Sequence, residues 1–116
     1  MQSIVFDLDG TICIPNLDEK DTHSRYALAK PVQEVIDKMH KLKYNYRIVI
    51  HTARRMVTHN GDINKIIEDV GQVTEDWLSA HDVPYNELVW GKPYASSYYV
   101  DDKAMNVKDF LLWETA

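Results

Sequence analysis

The chain has 116 residues and a formal net charge of −5, with 13 lysines and arginines against 18 acidic residues. That length bounds a single domain with its own core, and no stretch approaches the roughly 20 apolar residues of a membrane span. The acidic balance, with no basic run beyond Arg54-Arg55, argues against a protein that grips polynucleotides by their phosphates.

The first run, Ser3-Ile4-Val5-Phe6, is filled with β-branched and aromatic residues and predicts a buried strand. Because the chain enters that strand directly, no signal peptide is expected. Asp7 and Asp9 stand at its carboxyl end, followed at once by Gly10-Thr11. Two carboxylates so placed are electrostatically costly unless a cation compensates them. Gly10 permits a sharp turn whose amides can hold an anion. Together these features imply a metal-assisted site for a phosphorylated substrate. Cys13, the single cysteine, excludes an internal disulfide and fits a cytoplasmic setting. Flanked by Ile12 and Ile14, it reads as a buried filler.

Asn16 to Lys30 is polar and has no clear period, so it reads as a loop or flap. Pro31 is placed to open a helix, where a missing N–H costs nothing. Val32, Val35, Ile36, Met39 and Leu42 give that helix one buried face. Arg47-Ile48-Val49-Ile50-His51 predicts a second buried strand. Asp62 is a plausible cap for a second helix, lined on its inner face by Ile63, Ile66, Ile67, Val70, Val73, Trp77 and Leu78. Gly71 predicts a kink or break midway. Glu87 to Trp90 and Ser97 to Val100 are two further strand candidates, and a helix around Val107 to Trp113 closes the chain.

Alternating strands and helices predict an α/β fold, a single domain over residues 1–116, with a small, mainly parallel sheet covered on both faces. Ligands in such sheets bind at the carboxyl ends of the strands, where strand order reverses. Four such ends carry reactive residues: Asp7 and Asp9; Thr52, followed by Ala53-Arg54-Arg55; Lys92 between Gly91 and Pro93; and Asp101-Asp102.

A carboxylate attacking phosphorus must approach a dianion, so Mg²⁺ is needed to neutralise charge on both. Magnesium takes oxygen ligands, and a carboxylate, a main-chain carbonyl and another acid suffice. A hydroxyl and an ammonium can then hold the phosphoryl oxygens. A second carboxyl protonates the departing alkoxide and later activates water.

Asp7-Leu8-Asp9-Gly10-Thr11, Thr52, Lys92 and Asp101-Asp102 resemble, in order, the four motifs of the haloacid dehalogenase superfamily. The resemblance covers essentially the whole chain and implies a three-layer, Rossmann-like fold. It makes Asp7 the nucleophile that forms an aspartyl-phosphate. Asp9 becomes the general acid and base and offers its carbonyl to Mg²⁺. Thr52 and Lys92 hold the phosphoryl group, and Asp101 and Asp102 complete the metal site. Leu8 and Gly10 flank the nucleophile as substrate-contacting positions. The second aspartate, Asp9, points to a phosphatase or phosphomutase rather than a dehalogenase. Neither interval that commonly carries a cap domain has room for one, which favours an open-site hydrolase over a mutase.

Thr52-Ala53-Arg54-Arg55-Met56, with His59-Asn60 and Gly91-Lys92-Pro93-Tyr94, is similar to small capless phosphatases of capsular-polysaccharide biosynthesis. That resemblance implies a phosphorylated sugar or polyol as substrate, contacted by Ala53, Arg54, Arg55, His59 and Asn60. It leaves room for a neighbouring subunit as lid. His51 should point to the face opposite Thr52 and be structural. Tyr94, Tyr98 and Tyr99 read as core or subunit-contact residues. Two alternatives stand beside the main reading. The Thr52-Ala53-Arg54 segment also resembles nucleic-acid 3′-phosphatase domains. A phospho-receiver signalling module would have similar length, but would need an aspartate where Ile48-Val49-Ile50 leads to His51-Thr52.

Overall fold

The computed structural model describes residues 1–114. Strand β1 (Ser3–Phe6) leads into a tight turn and a short strand β2 (Cys13–Ile14). Helix α1 (Thr22–Ala27) follows, then β3 (Lys30–Pro31), α2 (Gln33–Leu42), β4 (Arg47–Thr52), α3 (Ile63–Ala80), β5 (Glu87–Trp90) and α4 (Val107–Leu112). The main sheet has three strands in the order β1-β4-β5, all parallel, with Phe6 beside Ile50 and Thr52 beside Trp90.

That order steps in one direction, so two right-handed crossovers bring α2 and α3 to the same face of the sheet. One cluster accordingly joins Phe6, Ile48 and Ile50 to Val35, Ile36, Met39 and Leu42 of α2, Trp77 and Leu78 of α3, and Phe110 of α4. Phe110 meets Phe6 edge to face at 5.3 Å. On the opposite face Val5 is 59% exposed. The expected covering of both faces is therefore corrected. Among the described residues the helices supply one packed layer, and the three strands contain no reversal of order.

Other expectations change locally. Pro31 does not open α2; it lies in β3, paired antiparallel with Cys13, and Val32 takes the N-cap position. The residue before a proline is pushed to extended backbone, and the Val32 amide donates to the Ile12 carbonyl at 2.8 Å. Both effects draw the segment into a small hairpin at the base of the flap. The flap itself holds a helix, α1, capped by the Asp21 carboxylate on the Ser24 amide and packed on α3. Helix α3 runs unbroken through the buried Gly71, because its apolar stripe continues on both sides. Asp62 caps it by accepting from the Lys65 amide at 3.2 Å. Ile63 and Ile67 remain partly exposed rather than core.

Ser97 to Val100 does not form a strand. The Tyr99 hydroxyl instead folds the loop on itself, donating to the Pro93 carbonyl at 2.5 Å and accepting from the Ala95 amide at 3.1 Å. Tyr98 and Val100 are left 87% and 98% exposed. The tyrosines of this loop are thus not core residues. No helix among the described residues is long and apolar enough to cross a membrane.

Candidate active site

An open cleft of about 600 Å³ lies at the carboxyl ends of β1, β4 and β5. Asp7, Asp9, Thr52, Ala53, Arg54, Arg55 and Lys92 line it, together with Tyr26 of α1 and Tyr94 and Tyr99 of the loop after β5. Three ends of parallel strands bring these groups together, which is why residues 45 and 85 positions apart in the chain share one concavity.

Asp7 faces Lys92, whose Nζ lies 3.4 Å from Asp7 Oδ1. The Lys92 amide continues the β4–β5 ladder by donating to the Thr52 carbonyl at 3.1 Å. Its ammonium sits over the Tyr99 ring, 4.2 Å from the centroid. Gly91 takes a positive φ of 93°, which turns the chain from β5 into the lysine position. Thr52 is buried, and its Oγ1 accepts from the Arg54 amide at 3.1 Å. A hydroxyl that accepts there keeps its own proton for an acceptor in the cleft.

Arg54 separates from its neighbour Arg55. Its side chain is 1% exposed and spends its donors inside the protein. Nε and Nη2 donate to the two oxygens of Asp9, at 2.9 and 2.8 Å. Nη1 donates to Thr74 Oγ1 at 2.8 Å, and Nη2 also reaches Cys13 Sγ at 3.6 Å. The Tyr26 ring closes over the guanidinium at 3.9 Å. The Asp9 carboxylate holds this guanidinium above the usual arginine range against the opposing effect of burial. Burial, reinforced by Asp9, pushes the Cys13 thiol up to about 12, so it is a filler and hydrogen-bond donor. With the Nε and Nη2 fork held by Asp9, Arg54 does not present that fork to the cleft as expected.

Gly10 does turn the chain, with φ of 88°. The amides of Gly10, Thr11, Ile12 and Cys13 nevertheless donate inward, to the carbonyls of Cys13 and Leu8. The anion cradle expected at this turn is not formed by those groups. Leu8 is fully buried. His59 and Asn60 are not among the residues that line the cleft. The His59 ring instead meets Asp69 of α3, and Asn60 occupies a left-handed turn position with φ of 49°. His51 stays off the cleft wall, on the face with Val49. Burial, and next the Lys92 charge, depress its basicity.

Asp101 and Asp102 lie on the exposed loop, outside the cleft. Asp101 accepts from the Lys103 amide at 2.8 Å, a turn that, with the neighbouring Asp102, lowers its pKa. The donors that Mg²⁺ would need are thus only partly assembled. The Asp7 carboxylate is on the cleft, and the Asp9 carboxylate is paired with Arg54 while its expected metal donor is the main-chain carbonyl. No group of three or more acidic, His or Cys side chains is gathered for a metal among the described residues. Among the carboxylates on the cleft, Asp7 is the one not taken up by an arginine.

Sequence reasoning missed Tyr26, Asp69 and Thr74. Thr74 had a signal, being the polar residue on the buried stripe of α3. Asp69 had none, since an acid on a helix surface usually faces solvent.

No family model and no curated protein matches the chain. Among solved structures, a structural-genomics target from Vibrio cholerae is 32% identical, with a TM-score of 0.85, over 98% of this chain and 90% of that one. The two belong to one family. A chain of the Pnkp1/Rnl/Hen1 complex matches 87% of this chain and 31% of its own length, at 17% identity and TM-score 0.57. A chain of the Pnkp1/Rnl/Hen1 RNA repair complex matches 95% of this chain and 29% of its own length, at 15% identity and TM-score 0.56. This chain therefore spans about a third of those two, and the likeness to them is one of fold.

Proposed function

We propose that this chain, a member of one family with the Vibrio cholerae protein, is a phosphomonoester hydrolase of the haloacid dehalogenase superfamily. The observation that carries the reading is the convergence of Asp7, Asp9, Thr52 and Lys92 on one cleft, with Lys92 Nζ 3.4 Å from the Asp7 carboxylate. Asp7 attacks phosphorus, the ester P–O bond breaks, and the leaving oxygen takes a proton from the Asp9 carboxyl. Water then attacks the aspartyl-phosphate, gives its proton to Asp9 and releases phosphate. Lys92 offsets the charge that would otherwise repel a phosphate dianion from Asp7, and the Thr52 proton binds a phosphoryl oxygen. Arg54 donates to both Asp9 oxygens in the resting site and yields one of them when Asp9 carries the proton.

The substrate we propose is a phosphorylated sugar or polyol, as in assembly of a surface polysaccharide. The open cleft, the arginines and hydroxyl groups along its wall, and the net acidity of the chain support it. Divalent-metal dependence belongs to the same proposal through the superfamily resemblance. A second reading, removal of a terminal phosphate from a nucleic acid, is favoured by the fold shared with a chain of an RNA repair complex.

Phosphate release from sugar, polyol and nucleotide monophosphates and from 3′-phosphorylated oligonucleotides tests both readings. Turnover by the wild type that vanishes in Asp7→Asn, with the fold retained, is the expected result. Full activity in Asp7→Asn would sink the mechanism. Turnover confined to phosphorylated oligonucleotides would select the second reading.

A further inference from the structure

The carboxylate of Asp69 on α3 gathers three side chains, one from the flap helix and two from the loop after β4. His23 Nε2 of α1 lies 2.9 Å from Oδ1, while Arg55 Nε and His59 Nε2 lie 3.1 and 2.8 Å from Oδ2. His23 and Arg55 are brought together here across 32 positions of sequence, and α1, α3 and the 53–62 loop are tied at one point. The two imidazoles and the guanidinium, with Asp69 below the ordinary carboxylate range at about 2, keep the acceptor charged. Both histidines must then present Nε2–H to it.

Arg55 sits in the left-handed region, with φ of 58°, although it is neither glycine nor asparagine. The left-handed backbone is disfavoured for a bulky side chain, so something must hold it there. Its carbonyl accepts from the His59 amide at 3.0 Å, and its Nε from the other side is fixed on Asp69. The turn sends neighbouring arginines to different places, Arg54 inward to Asp9 and Arg55 along the cleft wall. Only Nε of Arg55 has a partner within the chain among the described residues, so its two terminal amino groups remain as donors.

We propose that Arg55 forms a subsite for the oxygen-rich part of the substrate beyond the phosphoryl group, and that Asp69 is the positioning residue that aims it. The inference rests on the phosphatase reading for its biological meaning, but its geometry stands apart from turnover. Lys92 and Thr52 flank Asp7 and take the phosphoryl end. Arg55 lies in the wall formed with Met56, Val57 and Thr58, where hydroxyl or carboxylate oxygens of a sugar phosphate would meet a guanidinium fork. His23 and His59 share the acceptor and steady it, and His23 also ties the flap helix to the same point.

The test follows the Arg55 Nε–H resonance, assigned by its loss in Arg55→Lys, in ¹H–¹⁵N spectra of the intact protein. In the wild type it is expected as a distinct, slowly exchanging signal that collapses into the bulk arginine signals in Asp69→Asn. It should move on titration with glucose 6-phosphate and stay still with inorganic phosphate. For the sugar phosphate turned over best, Asp69→Asn and Arg55→Ala should each raise KM about tenfold with kcat changed less than about twofold. The double variant should be no worse than Arg55→Ala. An unchanged resonance in Asp69→Asn, or additive KM effects, would overturn the positioning role. A resonance blind to glucose 6-phosphate would overturn the subsite. Full turnover in Asp7→Asn would overturn the phosphatase reading alone, leaving the spectroscopic result to be read independently.

Discussion

Arg54 grips both oxygens of Asp9 from a position almost wholly out of solvent, at 2.9 and 2.8 Å, while Tyr26 covers the guanidinium from the flap helix. The pair links the first strand end to the loop after β4, and through Thr74 to α3. It therefore serves the fold as well as the chemistry. Removing one partner leaves the other as an uncompensated buried charge, which is more damaging than never having had the pair.

Asp9→Ala should for that reason lose both turnover and stability, the latter by about 3 kcal/mol. Urea unfolding of Asp9→Ala and Asp7→Ala side by side checks this. Asp7 faces Lys92 with both side chains partly exposed, at 36% and 22%, so its pair is worth only about 0–1 kcal/mol. Equal stability losses in the two variants would show that Arg54 does not depend on Asp9.

Acid sensitivity should pass through Asp69. Its folded pKa of about 2 lies below the usual value of 3.8, owing first to the hydrogen bond from His23, then to that from His59. Between those values the unfolded chain binds the extra proton, so stability is present above about pH 4 and falls as pH drops toward 2. Asp69→Asn should flatten that part of the stability profile. An unchanged acid limb, followed by urea melts at stepped pH, would remove Asp69 from the account.

The Cys13 thiol offers the opposite sign. Its pKa rises from 9.0 to about 12, chiefly through burial. The unfolded chain then loses its proton first, so stability holds below about pH 9 and declines as pH rises toward 12. At pH 8 the folded thiol should resist a thiol-labelling reagent, with labelling paced by unfolding. Rapid labelling of native protein would show that the flap opens over Cys13.

Phosphate release is expected to fall to background in EDTA and to return with Mg²⁺. Asp7, Thr52 and Lys92 are already gathered on the cleft, whereas Asp101 and Asp102 lie on the exposed loop away from it. Full turnover in chelator would show that Lys92 and Thr52 suffice to neutralise the phosphoryl group.

The sequence by itself determined the parallel strands β1, β4 and β5, because each is a short run of β-branched or aromatic residues ending in a polar turn. It also determined both long helices, whose buried faces repeat at helical spacing, and the meeting of Asp7, Asp9, Thr52 and Lys92 at one edge. Those are consequences of local pattern plus the rule that parallel strands present their carboxyl ends together. What only the tertiary structure decided depends on partners distant in the chain. Arg54 and Arg55 are identical letters in sequence, and they part because one finds Asp9 and the other Asp69. Ser97 to Val100 has the letters of a strand, but pairing needs a neighbour, and Tyr99 bonds its own loop instead. Asp69 reads as one more surface acid on α3 until the flap helix and the 53–62 loop bring His23, Arg55 and His59 to it. Hydrogen-bond partners separated by tens of residues leave no periodic trace, so folding alone assigns them.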